Sequence, residues 1–287
     1  MKKLFPNTIL QSIGLIIMGM LSSTPFFFLL ENKNINFTSD IKNTILFIIL
    51  CSIIIGLAYF INSRRKIALD LNFKISNLVP LPLLMACVFF YDIGFSFPLS
   101  ETLSNNFRAI PILITKNPVL INPFDRMPVL LGSLILAPLF EEIIFRGIIL
   151  RGFLVNYSPK FAIIVSAVLF GLVHGKPIQI IIALLTGLFL GWIYYKTKSL
   201  GTVMAMHFMA NFSSQLALFI NYKYGSITNT GAQLYGSFTY PVIITSLILF
   251  GLSLYYVNKN TKLIPENPEP LILHDRSLPD TPPPLNQ

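Results

Sequence analysis

The sequence predicts an all-α fold, a polytopic transmembrane bundle of about eight helices around a buried polar cavity. Three observations predict it. Of the 287 residues, 54% are hydrophobic and only 11% are charged, whereas a soluble domain carries roughly 25% charged residues. The apolar residues gather into runs close to the 17 to 25 residues or so that cross a bilayer as a helix. Ionisable and amide side chains recur inside three of these runs, where each ionised group costs roughly 2.5–3.5 kcal/mol on insertion scales.

In chain order the runs are Ile9–Leu30, Asn43–Asn62, Val79–Leu99, Met127–Leu150, Phe161–His174, Ile178–Tyr195, Leu200–Ile220 and Phe238–Val257. The first follows Met1-Lys2-Lys3, as a signal peptide would, but it is longer than the roughly 7 to 15 apolar residues of a signal and lacks a small-residue cleavage site. It reads as an uncleaved first helix. The fifth run is short, and Gly175-Lys176-Pro177 separates it from the sixth, so these two are antiparallel neighbours across a tight turn. Between the second and third runs, Lys66–Leu78 mixes Ile, Leu and Phe with Asp70 and Lys74, the composition of a short amphipathic surface helix or a solvated loop. Ser100–Arg126 is a long connection carrying Pro111, Pro118 and Pro123, a length that suits a lid, a substrate-facing segment or a plain linker. Beyond Lys262 the prolines of residues 265–284 predict a disordered tail, and His274 within it is a solvated residue.

The net charge of +9 does not indicate nucleic acid, because the basic residues lie between apolar runs and form no single patch. Placing the amino terminus inside puts thirteen Lys and Arg on the cytoplasmic side: Lys2, Lys3, Arg64, Arg65, Lys66, Lys74, Arg151, Lys160, Lys196, Lys198, Lys259, Lys262 and Arg276. Seven fall outside: Lys33, Lys42, Arg108, Lys116, Arg126, Lys176 and Lys223. With an even number of helices, both termini are then cytoplasmic. In a bacterium the host membrane would be the plasma (inner) membrane. Cys51 and Cys87 lie in apolar runs without CxxC spacing and read as buried packing residues.

Chemistry concentrates in three places. Glu141-Glu142 and Arg146 interrupt the fourth run. Residues four apart share a helix face, so Glu142 and Arg146 can pair while Glu141 points elsewhere, free to face a cavity. Phe170 and His174 are one turn apart in the fifth run, and His207 and Asn211 share a face in the seventh. Each has a bland reading: an ion-pair knot for the first, interhelical hydrogen-bonding residues for the other two. Depth argues for one site. At 1.5 Å per residue, Glu141 lies roughly 14 Å from Leu150, His174 roughly 20 Å from Phe161, and His207 and Asn211 roughly 11 and 17 Å from Leu200. Helices of opposite direction thus bring these groups into one slab near the midplane, which suggests a shared water-filled cavity.

Glu141-Glu142-Ile143-Ile144-Phe145-Arg146-Gly147, Phe170-xxx-His174, and Ser199-Leu200-Gly201 leading to His207-xxx-Asn211 together resemble the three-motif signature of the CAAX-protease and bacteriocin-processing (CPBP) family of intramembrane proteases. That family includes the type II CAAX prenyl endopeptidases. The resemblance implies a catalytic core (127–220); the apolar runs and the composition divide the rest into N-terminal helices and loops (1–126), the last transmembrane helix (221–258) and the Pro-rich disordered tail (259–287). It implies hydrolysis of a peptide bond in a membrane-associated or prenylated substrate, with Glu141 and His174 activating water and His207 and Asn211 stabilising the oxyanion. Glu142 and Arg146 would orient Glu141, and Phe170 supports the site. The expected partners are the lipid bilayer and a peptide or membrane-protein substrate.

The family is often called a metalloprotease, and Glu141, His174 and His207 would make a two-His, one-carboxylate zinc set. That use consumes the obvious base, and the HExxH arrangement is absent, which favours a metal-free glutamate mechanism. A non-catalytic bacteriocin-immunity protein and a proton-coupled transporter are the alternative functions. Transport is disfavoured because no second half resembles the first and the polar groups cluster at one depth.

Overall fold

The computed structural model describes residues 3–32, 37–69, 71–106, 123–224 and 236–260. Eight helices cross-pack in this part of the chain, in the order α1 (Ile9–Leu30), α2 (Ser39–Arg64), α3, α4 (Met127–Phe153), α5 (Pro159–Leu172), α6 (Pro177–Thr197), α7 (Leu200–Tyr224) and α8 (Thr239–Asn260). In α3, the α-helical turns Leu81–Tyr91 and Phe97–Asn106 flank a π-helical turn at Asp92–Ser96. All but α5 are long and apolar enough to cross a membrane. The chain is an integral multi-pass membrane protein with a polytopic helical bundle. The 14 residues of α5 reach only about 21 Å, against a hydrocarbon core of about 30 Å.

Large apolar side chains cover the outside, among them Leu21, Phe28, Phe60 and Tyr255, as expected where lipid is the solvent. Inside, association cannot rely on excluding water and depends on close approach of small residues. The tightest pair, α5 on α6, shows this. A Cβ on Gly171 would stand 2.8 Å from the Ile180 carbonyl oxygen, and one on Gly187 would stand 3.0 Å from the Phe170 ring. Ser166 Oγ adds a 3.0 Å hydrogen bond to the Phe145 carbonyl, tying α5 to α4.

One segment departs from expectation. The fifth helix ends at Leu172, so His174 sits in the turn and not on the helix. Gly175 takes φ +72°, a left-handed conformation open to glycine at little cost, and Pro177 opens α6. The described residues of 66–78 form no surface helix; they make a loop, exposed over most of Asn72–Leu78, as the alternative reading expected, and it is tied down by hydrogen bonds. The backbone N–H of Leu200 donates to the Asn72 carbonyl (2.8 Å), Asn72 Nδ2 to the Lys198 carbonyl (3.1 Å) and the Ser76 N–H to Thr202 Oγ1 (2.8 Å). The segment is thereby fastened over the start of α7, where helical backbone pairing is replaced by bonds to another element. Asp70, most of the connection before α4 (107–122) and the tail from 261 lie outside the described residues. Cys51 and Cys87 are buried free thiols, as read from the sequence.

Gly171→Ala is expected to cost about 1–3 kcal/mol, because backbone on α6 must yield. Gly56→Ala, with open space at its Cβ, is expected to be neutral or slightly stabilising. Thermal unfolding of the two detergent-solubilised variants measures the contrast.

Candidate active site

The site is assembled around one carboxylate. Glu142 on α4 is fully buried, and its Oε1 accepts from Arg146 Nη1 at 2.8 Å and from His207 Nδ1 at 2.7 Å. A carboxylate oxygen can only accept when ionised, so the shared proton belongs to Nδ1 of His207. The Glu142–Arg146 pair follows from helix periodicity, as expected. The contact with His207 crosses from α4 to α7. Arg146, 1% exposed, spends Nη2 on the Gly187 carbonyl at 3.2 Å, and its guanidinium lies 4.6 Å from the centroid of the Phe170 ring. A buried cation is thus met by carboxylate, carbonyl and aromatic face together.

Phe170 packs against Arg146 and against three other rings. Its ring packs edge-on against Phe145 (5.1 Å between centroids), His174 (5.0 Å) and His207 (5.9 Å). His174 in the α5–α6 turn donates Nδ1–H to the Phe170 carbonyl at 2.8 Å. In the neutral ring this leaves the Nε2 lone pair available.

Glu141 stands apart from its neighbour, as the 100° per residue turn requires. Its side chain is 16% exposed where that of Glu142 is 0%, and its Oε2 lies 3.8 Å from His207 Nε2. His174 is also within electrostatic reach of it. His207 therefore lies between the two carboxylates, Nδ1 toward Glu142 and Nε2 toward Glu141. Asn211, one turn further on α7, donates Nδ2–H to the Ser133 carbonyl at 2.6 Å. Ser133 belongs to a π-helical turn of α4, Gly132–Leu136. The second amide hydrogen of Asn211 has no role in that bond.

The structure thus brings Glu141, Glu142, Arg146, Phe170, His174 and His207 into one cluster, with Asn211 at its α7 edge bound to Ser133. Among the described residues no three His, Cys, Asp or Glu side chains converge as a metal-holding group.

Three polar residues escaped the sequence reading. Ser133 holds Asn211, and Gln215 Nε2 donates to Ser133 Oγ at 3.2 Å; neither residue carries a charge to attract notice. Asp92 did carry a signal, an acid inside the apolar run Val79–Leu99. It is 3% exposed, its Oδ2 lacks a hydrogen-bond partner among the described residues, and the Ser213 hydroxyl of α7 faces it.

The two adjacent glutamates are expected to separate in a stability measurement. Glu142→Gln strands a buried guanidinium and is expected to cost about 3–5 kcal/mol. Glu141→Gln, partly exposed, is expected to cost about 1 kcal/mol or less. Unfolding midpoints in detergent measure both.

Comparison with known proteins bears on the same stretch. Residues 123–213 match the family described as type II CAAX prenyl endopeptidase Rce1-like. The protein named "Putative membrane peptidase YdiL" of Bacillus subtilis (strain 168) is 31% identical over 108 residues, which cover 38% of this chain and 41% of YdiL. No solved structure matches the chain. The matched segment holds all three motifs, so residues 123–213 are similar to the type II CAAX prenyl endopeptidase Rce1-like family, and the chain spans about two fifths of the length of the curated relative it matches.

Proposed function

We propose that this protein is an intramembrane endopeptidase that hydrolyses a peptide bond in a membrane-associated or prenylated peptide or protein, with Glu141 as the base. The observation that carries the reading is the unequal treatment of two adjacent carboxylates. Glu142 is sealed in with Arg146 and His207, while Glu141 keeps access and faces histidine nitrogen. One acid is structural and the other is free for chemistry. The catalytic core is the stretch 127–220, and the matched family and the peptidase name of YdiL support the class of reaction.

In this mechanism water binds between Glu141 and His174 Nε2. Glu141 removes a proton as the water oxygen attacks the scissile carbonyl carbon. The developing oxyanion accepts from the second amide hydrogen of Asn211 and from His207 Nε2–H. With Nδ1–H given to Glu142, His207 is a donor at Nε2 only as the doubly protonated ring, and the mechanism uses it in that state. Collapse breaks the C–N bond, and the proton held by Glu141 passes to the leaving amine. No step is routed through a metal. The Lys/Arg bias places both termini in the cytoplasm, in the plasma membrane if the source is bacterial.

The test compares wild-type protein and Glu141→Gln in proteoliposomes, reading membrane-peptide profiles by mass spectrometry. Cleavage is expected to fall by about 10²-fold or more, and Asn211→Ala by about 10²–10³-fold. Cleavage that persists in Glu141→Gln overturns the assignment and favours a non-catalytic, immunity-type protein. Activity is expected to survive exhaustive chelation, with no metal in the purified protein; loss on chelation and recovery with Zn²⁺ would establish the zinc reading instead.

A further inference from the structure

Away from the cluster, α6 and α8 leave a groove of about 520 Å³ between them. Leu185, Phe189 and Trp192 of α6 and Leu254, Tyr255 and Asn258 of α8 line it. On α6 these positions are spaced by four and three residues, a single helix face. Continued one turn, that face reaches Lys196, four residues after Trp192. The α8 face ends likewise, with Lys259 four residues after Tyr255. Each ammonium lies 6.0 Å from the centroid of the aromatic ring that precedes it. Because one helix, α7, separates them, α6 and α8 run in the same direction, and both lysines leave the groove at the same membrane face.

Lys196 is 8% exposed, and among the described residues no carboxylate pairs with Lys196 or Lys259. A mostly buried ammonium whose partner among the described residues is an aromatic ring favours an anion. An open apolar groove between membrane helices favours an acyl chain. One class of molecule joins the two, a lipid whose phosphate sits where its chains enter the hydrocarbon. The Lys/Arg bias assigns this face to the cytoplasm, where the leaflet surface is negative.

We propose that the α6–α8 groove binds an anionic phospholipid, one acyl chain lying along Trp192 and Tyr255 and the headgroup phosphate meeting Lys196 and Lys259 with the Asn258 amide beside them. The site is distinct from the Glu141 cluster and does not depend on the protease reading. A zwitterionic lipid fills the groove equally well but returns a positive charge to the lysines, so the discrimination is electrostatic.

Trp192 is the chain's single tryptophan, which makes its fluorescence a direct report on the groove. Full-length protein is reconstituted in vesicles carrying increasing fractions of brominated-acyl phosphatidylglycerol or brominated-acyl phosphatidylcholine. Half-maximal quenching is expected at a several-fold lower fraction of the phosphatidylglycerol. Lys196→Gln and Lys259→Gln are each expected to reduce that preference by about fivefold. Lys198→Gln is expected to leave it intact, since Lys198 stacks on Tyr195, off the groove face. Equal quenching by the two lipids in the wild type overturns the proposal without recourse to any variant. A preference that persists in the double lysine variant also overturns it. So does relief of quenching by inorganic phosphate, or by a prenylated peptide at low mole fraction, which would reassign the groove to free phosphate or to a substrate's tail.

Discussion

A carboxylate with no exposure to solvent, shared between a guanidinium and an imidazole, is the constraint on which the rest of this bundle depends. Glu142 Oε1 fixes Arg146 on its own helix and His207 on another. In a membrane interior none of these groups has water to fall back on. Arg146 in turn needs the Gly187 carbonyl and the Phe170 face, so α5 and α6 must approach closely enough to supply them. The positions of α4, α5, α6 and α7 relative to one another are therefore set by the needs of two buried charges.

That demand explains the small residues. Gly187 lets the Phe170 ring lie flush against α6, and Gly171 lets α6 backbone come close to α5. Phe170 is then held between Arg146, His174 and His207. Its own carbonyl sets the orientation of His174. One aromatic residue thus transmits the placement of the ion pair to a histidine in a turn beyond the end of a helix.

The separation of adjacent glutamates into a sealed and an accessible member is a consequence of helix rotation alone. Adjacent residues diverge by about 100°, so once Glu142 is committed to the core, Glu141 must face another direction. What it faces is decided by α7, which places His207 between the two acids. On α7, Asn211 is braced by the Ser133 carbonyl from a π-helical turn of α4, where the regular helical register is interrupted.

Local relations were legible in the residue order. The apolar runs marked the eight helices, although the third continues to Asn106 beyond the Leu99 end of its run, and four-residue spacing paired Glu142 with Arg146 and placed His207 and Asn211 on one face. The three motifs also marked the segment that the family comparison matches. These readings succeed because span length and helical periodicity are properties of the chain itself. The contact of His207 with Glu142, 65 residues away, the bracing of Asn211 by Ser133 and the burial of Asp92 against α7 were decided only in the folded bundle. So was the fastening of Asn72 and Ser76 to the start of α7, within a segment whose pattern allowed a surface helix or a solvated loop and which is a loop. Periodicity states which residues share a face of one helix, but the rotation and register of one helix against another are set by side-chain packing and by the partners available to each buried polar group.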